Sequence, residues 1–289
     1  MARIHTLLAA GQCFSIELWP PRNEASEARL EHALSELAAL RPSFVSITYG
    51  AGGSTRERTH DLVVRLQREL DLSTMAHLTT AAHRREELEE ILDRYAAAGV
   101  ENVLALRGDP PLAEDGPVPA GELEHALELV ELVRSVGDFS VAVAAHPQRH
   151  PDADDLETDR RHLAAKLRLA DFAITQFFFR VEDYLALVDW LDAHGIDKPV
   201  VPGVMPITKV RTVRRMAQLA GCEVPPAIAA RIEAVADRPA EVRKIGVEIA
   251  TELCQKLLAE GVPGLHVYTM NESAATRELY AHLGLAGHA

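Results

Sequence analysis

The stretch Phe14-Ser15-Ile16-Glu17-Leu18-Trp19-Pro20-Pro21 reads as a buried strand that runs straight into two prolines. A strand opening a dinucleotide-binding doubly wound sheet leads instead into a Gly-x-Gly-x-x-Gly turn, and none follows here. Similar short runs rich in β-branched and aromatic residues recur at 44–49, 75–79, 103–107, 140–145, 173–179, 200–204 and 265–270. Near-continuous apolar runs suit parallel strands covered on both faces. Charged, Leu/Ala-rich stretches of helical period lie between them, and Gly99 and Gly195 stand where helices end in a left-handed residue. The alternation predicts an α/β fold of the (β/α)8 TIM-barrel class, with extra helices between strands 7 and 8 at about 226–260. No linker or low-complexity tract interrupts it, so residues 1–289 are expected to form a single barrel domain.

Composition narrows the function. With 47% hydrophobic and 25% charged residues the chain is an ordinary globular protein. Thirty Lys and Arg against 43 Asp and Glu give a net charge of −13, which repels phosphate backbones and argues against nucleic-acid binding. No apolar run approaches the roughly 20 residues of a membrane span, and the N-terminus leads into too short an apolar stretch for a signal peptide. Cys13, Cys222 and Cys254 are widely spaced and form no Cys-x-x-Cys pair, which suits a reducing compartment. A soluble cytoplasmic protein is expected.

A barrel of this class places its chemistry at the C-terminal ends of its strands. Glu17 lies inside the first apolar strand, where a carboxyl must be paired or kept protonated, so it is a structural ion pair or a general acid. Thr48-Tyr49-Gly50-Ala51-Gly52-Gly53-Ser54-Thr55 is a tight turn, or one whose backbone meets a ligand. His77 ends the third strand as a packing residue or a catalyst. Arg107-Gly108-Asp109 ends the fourth strand as a salt bridge around a turn or a ligand clamp. His146 and His150 end the fifth, but Pro147 and Pro151 disfavour the helix that would align them on a metal, and none is expected. Asp159 and Lys166, seven apart, share one helix face, either solvated or walling a groove. Gln176 sits in a very apolar run and needs partners, from a neighbouring side chain or from a ligand's ring edge. Lys209, Arg211, Arg214 and Arg215 make a basic cluster after the seventh strand.

Together these strand ends resemble the methylenetetrahydrofolate reductase family. The matching pieces are IELWPPR (16–22), FVSITYGAGGSTRERT (44–59), AHLT (76–79), LALRGDPP (104–111), VAAHPQRHPDA (143–153), ITQFFF (174–179), VPGVMPI (201–207) and GVPGLHVYTMN (261–271). They occur in family order across nearly the whole chain. The resemblance implies a barrel holding FAD, which takes a hydride from NADH or NADPH and passes it to 5,10-methylenetetrahydrofolate. It places Glu17 as the acid that protonates N10, Asp109 between flavin and pterin, and Gln176 and Met216 against the folate. Thr48, Tyr49, His77, Arg107, Gly108, Asp109, Ala144, His146, His150, Asp159 and Lys166 fall on flavin-contacting positions. His146 stands where many relatives have a tyrosine, Met216 where some have phenylalanine, and Glu272 where arginine is common. The resemblance also implies a homo-oligomer. Because the chain ends soon after the barrel, no appended regulatory domain and no inhibition by S-adenosylmethionine are expected. The competing expectations are another flavin barrel of the proline-dehydrogenase kind, direct hydride transfer without flavin, and a non-catalytic folate- or flavin-binding subunit.

Overall fold

The computed structural model describes residues 2–50, 56–70, 72–108 and 121–285. Nine parallel strands alternate with helices: β1 (Cys13–Leu18), β2 (Phe44–Ile47), β3 (Thr74–Thr79), β4 (Asn102–Leu106), β5 (Ser140–Ala145), β6 (Phe172–Thr175), β7 (Val200–Val201), β8 (Gly203–Val204) and β9 (Gly264–Tyr268). They form one sheet in the order β7-β6-β5-β4-β3-β2-β1-β9-β8, so the chain makes the expected TIM-barrel-like fold.

The count is nine rather than eight because the seventh expected strand is cut in two, as β7 and β8. Pro202 has no N–H to give a ladder, and the segment changes neighbours across it. Val200 and Val201 pair with β6, whereas Gly203 and Val204 pair with His266 and Val267 of β9. The Thr175 hydroxyl accepts the Gly203 N–H at 2.8 Å and stitches the change-over. Only glycine fits at 203, because a Cβ there would stand 2.2 Å from the Thr175 carbonyl oxygen and 2.6 Å from the Tyr268 ring.

The sixth strand is also shorter than the expected 173–179. The amide of Gln176 still bonds to Ala145 O, but the chain then turns. Phe177 and Phe178 are buried in two separate apolar clusters, the second stacked on Tyr184. The apolar run is therefore half strand and half buried loop.

Helices α2 (Glu24–Leu37), α3 (Arg56–Leu70), α4 (Arg85–Ala97), α5 (Ala126–Val136), α6 (Leu156–Leu167) and α7 (Val181–Ala193) pack outside the strands. Gly99 and Gly195 follow α4 and α7 with φ of 77° and 71°, as their positions require. Between β8 and β9 lie α8 (Val210–Ala220), α9 (Pro226–Glu233) and α10 (Pro239–Ala259), the last two filling the extra helical stretch, and α11 (Ser273–His282) closes the ring. A short helix not foreseen in the sequence, α1 (Ile4–Ala10), plugs the N-terminal end of the barrel. Its Ile4 and Leu8 pack on Phe44, Met75 and Phe172, and its first amides are capped by Asn102 Oδ1 and Ser140 Oγ. That end is sealed, which leaves the other for chemistry. No described helix is long and apolar enough to cross a membrane.

Candidate active site

The parallel register brings an acid and two imidazoles together at the open end. Glu17 pairs with Ser46 on one side and Tyr268 on the other, and Ser15 pairs with His266. Period-two alternation points Ser15, Glu17, His266 and Tyr268 to the same face. Glu17 is 9% exposed, and its Oε2 lies 3.7 Å from His77 Nε2 and 3.9 Å from His266 Nε2. Neither contact is a hydrogen bond. Burial pushes the His77 imidazole down to about 4, with Glu17 opposing and His266 assisting. His77 is thus neutral near pH 7, and its buried Nε2 has no hydrogen-bond partner among the described residues. His266 is fixed between Ser15 Oγ at 2.8 Å and Ser46 Oγ at 3.3 Å and stacks on Phe44. Tyr268 donates to Thr175 O at 2.6 Å, and burial, with the Glu17 charge, holds its phenol well above its ordinary range.

A turn after β9 grips the same strand end. Thr269 Oγ1 donates to Glu17 O at 2.6 Å and accepts from the amide of Asn271 at 3.1 Å. The Asn271 side chain bonds both backbone groups of Trp19.

A second group follows the rim from β3 to β6. Gly108 has φ of +81°, and a Cβ on it would lie 2.8 Å from Thr79 Cβ, so the backbone runs close over the end of β3. Thr79 Oγ1 is buried there without a partner among the described residues. Arg107 pairs with Asp152 at 2.5 Å. Asp109, its expected alternative partner, lies outside the described residues. His146 and His150 face each other edge-on, 4.6 Å between centroids. Burial pushes His146 down to about 3 and lowers His150, so both are neutral aromatic walls. Asp159 and Lys166 do share a face. Asp159 accepts the His150 amide at 2.9 Å, and Lys166 donates to Ala144 O at 3.1 Å. Burial pushes the Lys166 ammonium down to about 8 against the pull of Asp159. Gln176 accepts the Phe177 amide through Oε1, and its Nε2 donates to no described residue.

Thr48 follows β2, with its amide bonded to Leu18 O at 3.0 Å and its carbonyl to Thr59 Oγ1, and Tyr49 bonds His83 Nε2 at 3.0 Å. Met216 is half-buried on the apolar cluster beneath α8–α10. In the basic cluster Lys209 pairs with Glu272 at 2.5 Å and Arg214 with Glu233, which neutralises half of it. His266 was missed in the sequence, although a histidine two residues from a tyrosine in a buried strand is a legible sign of a polar barrel interior.

The chain is similar to known proteins over nearly its whole length. The profile of the family described as methylenetetrahydrofolate reductase matches residues 3–284. A relative from Pectobacterium carotovorum, 5,10-methylenetetrahydrofolate reductase, is 35% identical over 272 residues, covering 94% of this chain and 90% of its own. The Escherichia coli protein of that name is 35% identical over 273 residues with the same coverage. Arabidopsis thaliana methylenetetrahydrofolate reductase (NADH) 1 is 36% identical over 297 residues, and the chain spans 50% of its length. Among solved structures, an uncharacterized protein from Clostridium thermocellum, which binds two copies of 5-methyl-5,6,7,8-tetrahydrofolic acid, superposes with a TM-score of 0.64 at 14% identity, covering 98% of this chain and 97% of its own. A profile that runs from α1 to the end of α11, and bacterial relatives matched over nine-tenths of their length, lead to one conclusion: the chain belongs to the methylenetetrahydrofolate reductase family.

Proposed function

We propose that this chain reduces 5,10-methylenetetrahydrofolate to 5-methyltetrahydrofolate in a ping-pong reaction, with NADH or NADPH as donor and FAD as the carrier. The named relatives support the substrate, and the plant relatives' names support NADH. The observation that carries the proposal is Glu17, a buried carboxyl at the open end whose Oε2 faces neutral His77. N10 of the folate leaves the five-membered ring only once protonated, and on this reading Glu17 gives that proton. Ring opening produces an N5 iminium whose exocyclic carbon accepts the hydride. On this reading Asp109 supplies an acceptor and Gln176 Nε2 a donor to the edges of the pterin, with Met216 against the rest of the folate.

The described residues fit a flavin dinucleotide. Among the described residues His77 Nε2 and Thr79 Oγ1 are buried without hydrogen-bond partners, the Gly108 backbone comes close, and half-buried Lys166 supplies a cation in an acidic protein. Thr48, Tyr49, His77, Arg107, Gly108, Asp109, Ala144, His146, His150, Asp159 and Lys166 would hold it. Bound there, FAD supplies a two-electron carrier between nicotinamide and folate. Neutral His146 and His150 can wall an uncharged ring without repelling it, and Lys166 favours phosphate. The cysteine-poor composition suits a cytoplasmic protein, membership of the family suits a homo-oligomer, and the product would serve methionine synthesis.

Purified chain, supplied with methylenetetrahydrofolate and NADH, should form 5-methyltetrahydrofolate and carry a flavin absorption spectrum. Turnover by colourless protein without added flavin would replace the carrier with direct hydride transfer. Absence of turnover with either nicotinamide would leave a non-catalytic binding protein.

A further inference from the structure

Four large apolar side chains stand exposed among the described residues. Leu156, Leu169 and Leu219 ride on or beside the outer helices α6 and α8. The fourth, Trp19, is 36% exposed directly after β1, two residues from Glu17. Its polar edge is engaged, since indole Nε1 donates to Glu17 Oε1 at 3.4 Å. Its backbone is held from both sides: Asn271 Oδ1 accepts the Trp19 N–H at 2.8 Å and Asn271 Nδ2 donates to Trp19 O at 2.9 Å. Asn271 reaches it through two consecutive left-handed residues other than glycine, Met270 and Asn271, with φ of 54° and 55°. Such a backbone persists only where its surroundings hold it, and it is concentrated at functional sites. The barrel thus presents an indole face to solvent on a fixed mount, next to its buried acid. A partly exposed indole, held by its backbone beside a buried carboxyl, offers a flat ring a surface to stack on.

We propose that Trp19 is a substrate-binding and positioning residue. Its exposed face stacks on a flat ring system of the folate, and its Nε1–H occupies Glu17 Oε1, leaving Oε2 to carry the acid proton. The folate is favoured over the nicotinamide because the indole touches the carboxyl that only the folate needs. This inference rests on the folate reductase function proposed above.

The sequence has two tryptophans, and Trp190 lies on α7, stacked on His194 at 3.7 Å. W190F therefore leaves Trp19 as the sole emitter, and W19F leaves Trp190. Titration with 5-methyltetrahydrofolate should quench W190F emission saturably and leave W19F unchanged, whereas NAD+ should leave both unchanged. W19A should raise KM for methylenetetrahydrofolate roughly tenfold, the scale of one aromatic contact. W19F, which keeps a ring but loses the N–H, should hold KM within about twofold and lower kcat instead. A merely structural tryptophan would not separate KM from kcat in this way, and melting followed by circular dichroism checks that W19A is folded. Quenching by NAD+ and not by folate would overturn the folate assignment. Normal wild-type turnover with silent Trp19 emission and unchanged W19A kinetics would overturn the role of Trp19 alone. Absence of wild-type folate turnover would overturn the proposed function and this role with it.

Discussion

Glu17 Oε2 lies 3.7 Å from His77 Nε2, and the imidazole it faces is neutral because burial holds His77 at about 4. A neutral partner does not pin the carboxyl as an ion pair would. The neutrality of the buried histidines also has a consequence for stability.

His77 and His146 have folded values of about 4 and about 3, below the ordinary value of 6.5. The unfolded chain therefore binds more protons below pH 6.5, so their contribution is full above that pH and is lost as pH falls. Each should remove about 2 kcal/mol of stability between pH 7 and pH 5. His146→Phe keeps a ring against His150 and takes no proton, so its loss over this interval should be smaller by about that amount. Urea unfolding at the two pH values measures it. Equal losses in variant and wild type would show that His146 is protonated in the folded protein.

Gly203→Ala should destabilise the barrel by about 3 kcal/mol or more, because the new Cβ meets the Thr175 carbonyl and the Tyr268 ring rather than a yielding side chain. Gly195→Ala has nothing within 4 Å and carries only the left-handed penalty of about 1 kcal/mol. Thermal melts of the two variants should differ accordingly. Similar melting temperatures would mean that the β7–β8 change-over is not a rigid closure.

Lys166 should bind a flavin's phosphates only while charged. With its value at about 8, wild-type affinity for FAD should weaken as pH rises from about 7 to about 9.5, and Lys166→Met should bind about tenfold more weakly with little dependence on pH. Flavin titration at several pH values tests this. A variant with wild-type affinity would remove Lys166 from the cofactor site.

The barrel was legible because each strand is buried on both faces and so writes itself as an apolar run, and because the run at 14–19 ends in prolines rather than glycines. The limits of that signal are visible at Phe177–Phe178, where a buried loop is as apolar as a strand, and at Pro202, where one run serves two neighbours. The seven-residue α1 is too short for its period to be read, and its role depends on caps from Asn102 and Ser140 that are distant in sequence. Glu17, His77, His150 and Lys166 were legible as polar residues at strand ends or on one helix face. His266 and the Asn271 grip on Trp19 were not, since both depend on β9 closing onto β1.

Glu17, as the acid for the folate, is the residue on which the proposed reaction most depends. Glu17→Gln keeps the shape of the side chain and cannot deliver a proton. Its NADH turnover with an artificial quinone acceptor should stay near the wild-type rate, because no proton to N10 is involved. Its NADH turnover with methylenetetrahydrofolate should fall by about 10²- to 10⁴-fold, the usual contribution of a positioned general acid. Equal slowing with both acceptors would make Glu17 a structural carboxylate, and no slowing with folate would contradict the assignment outright.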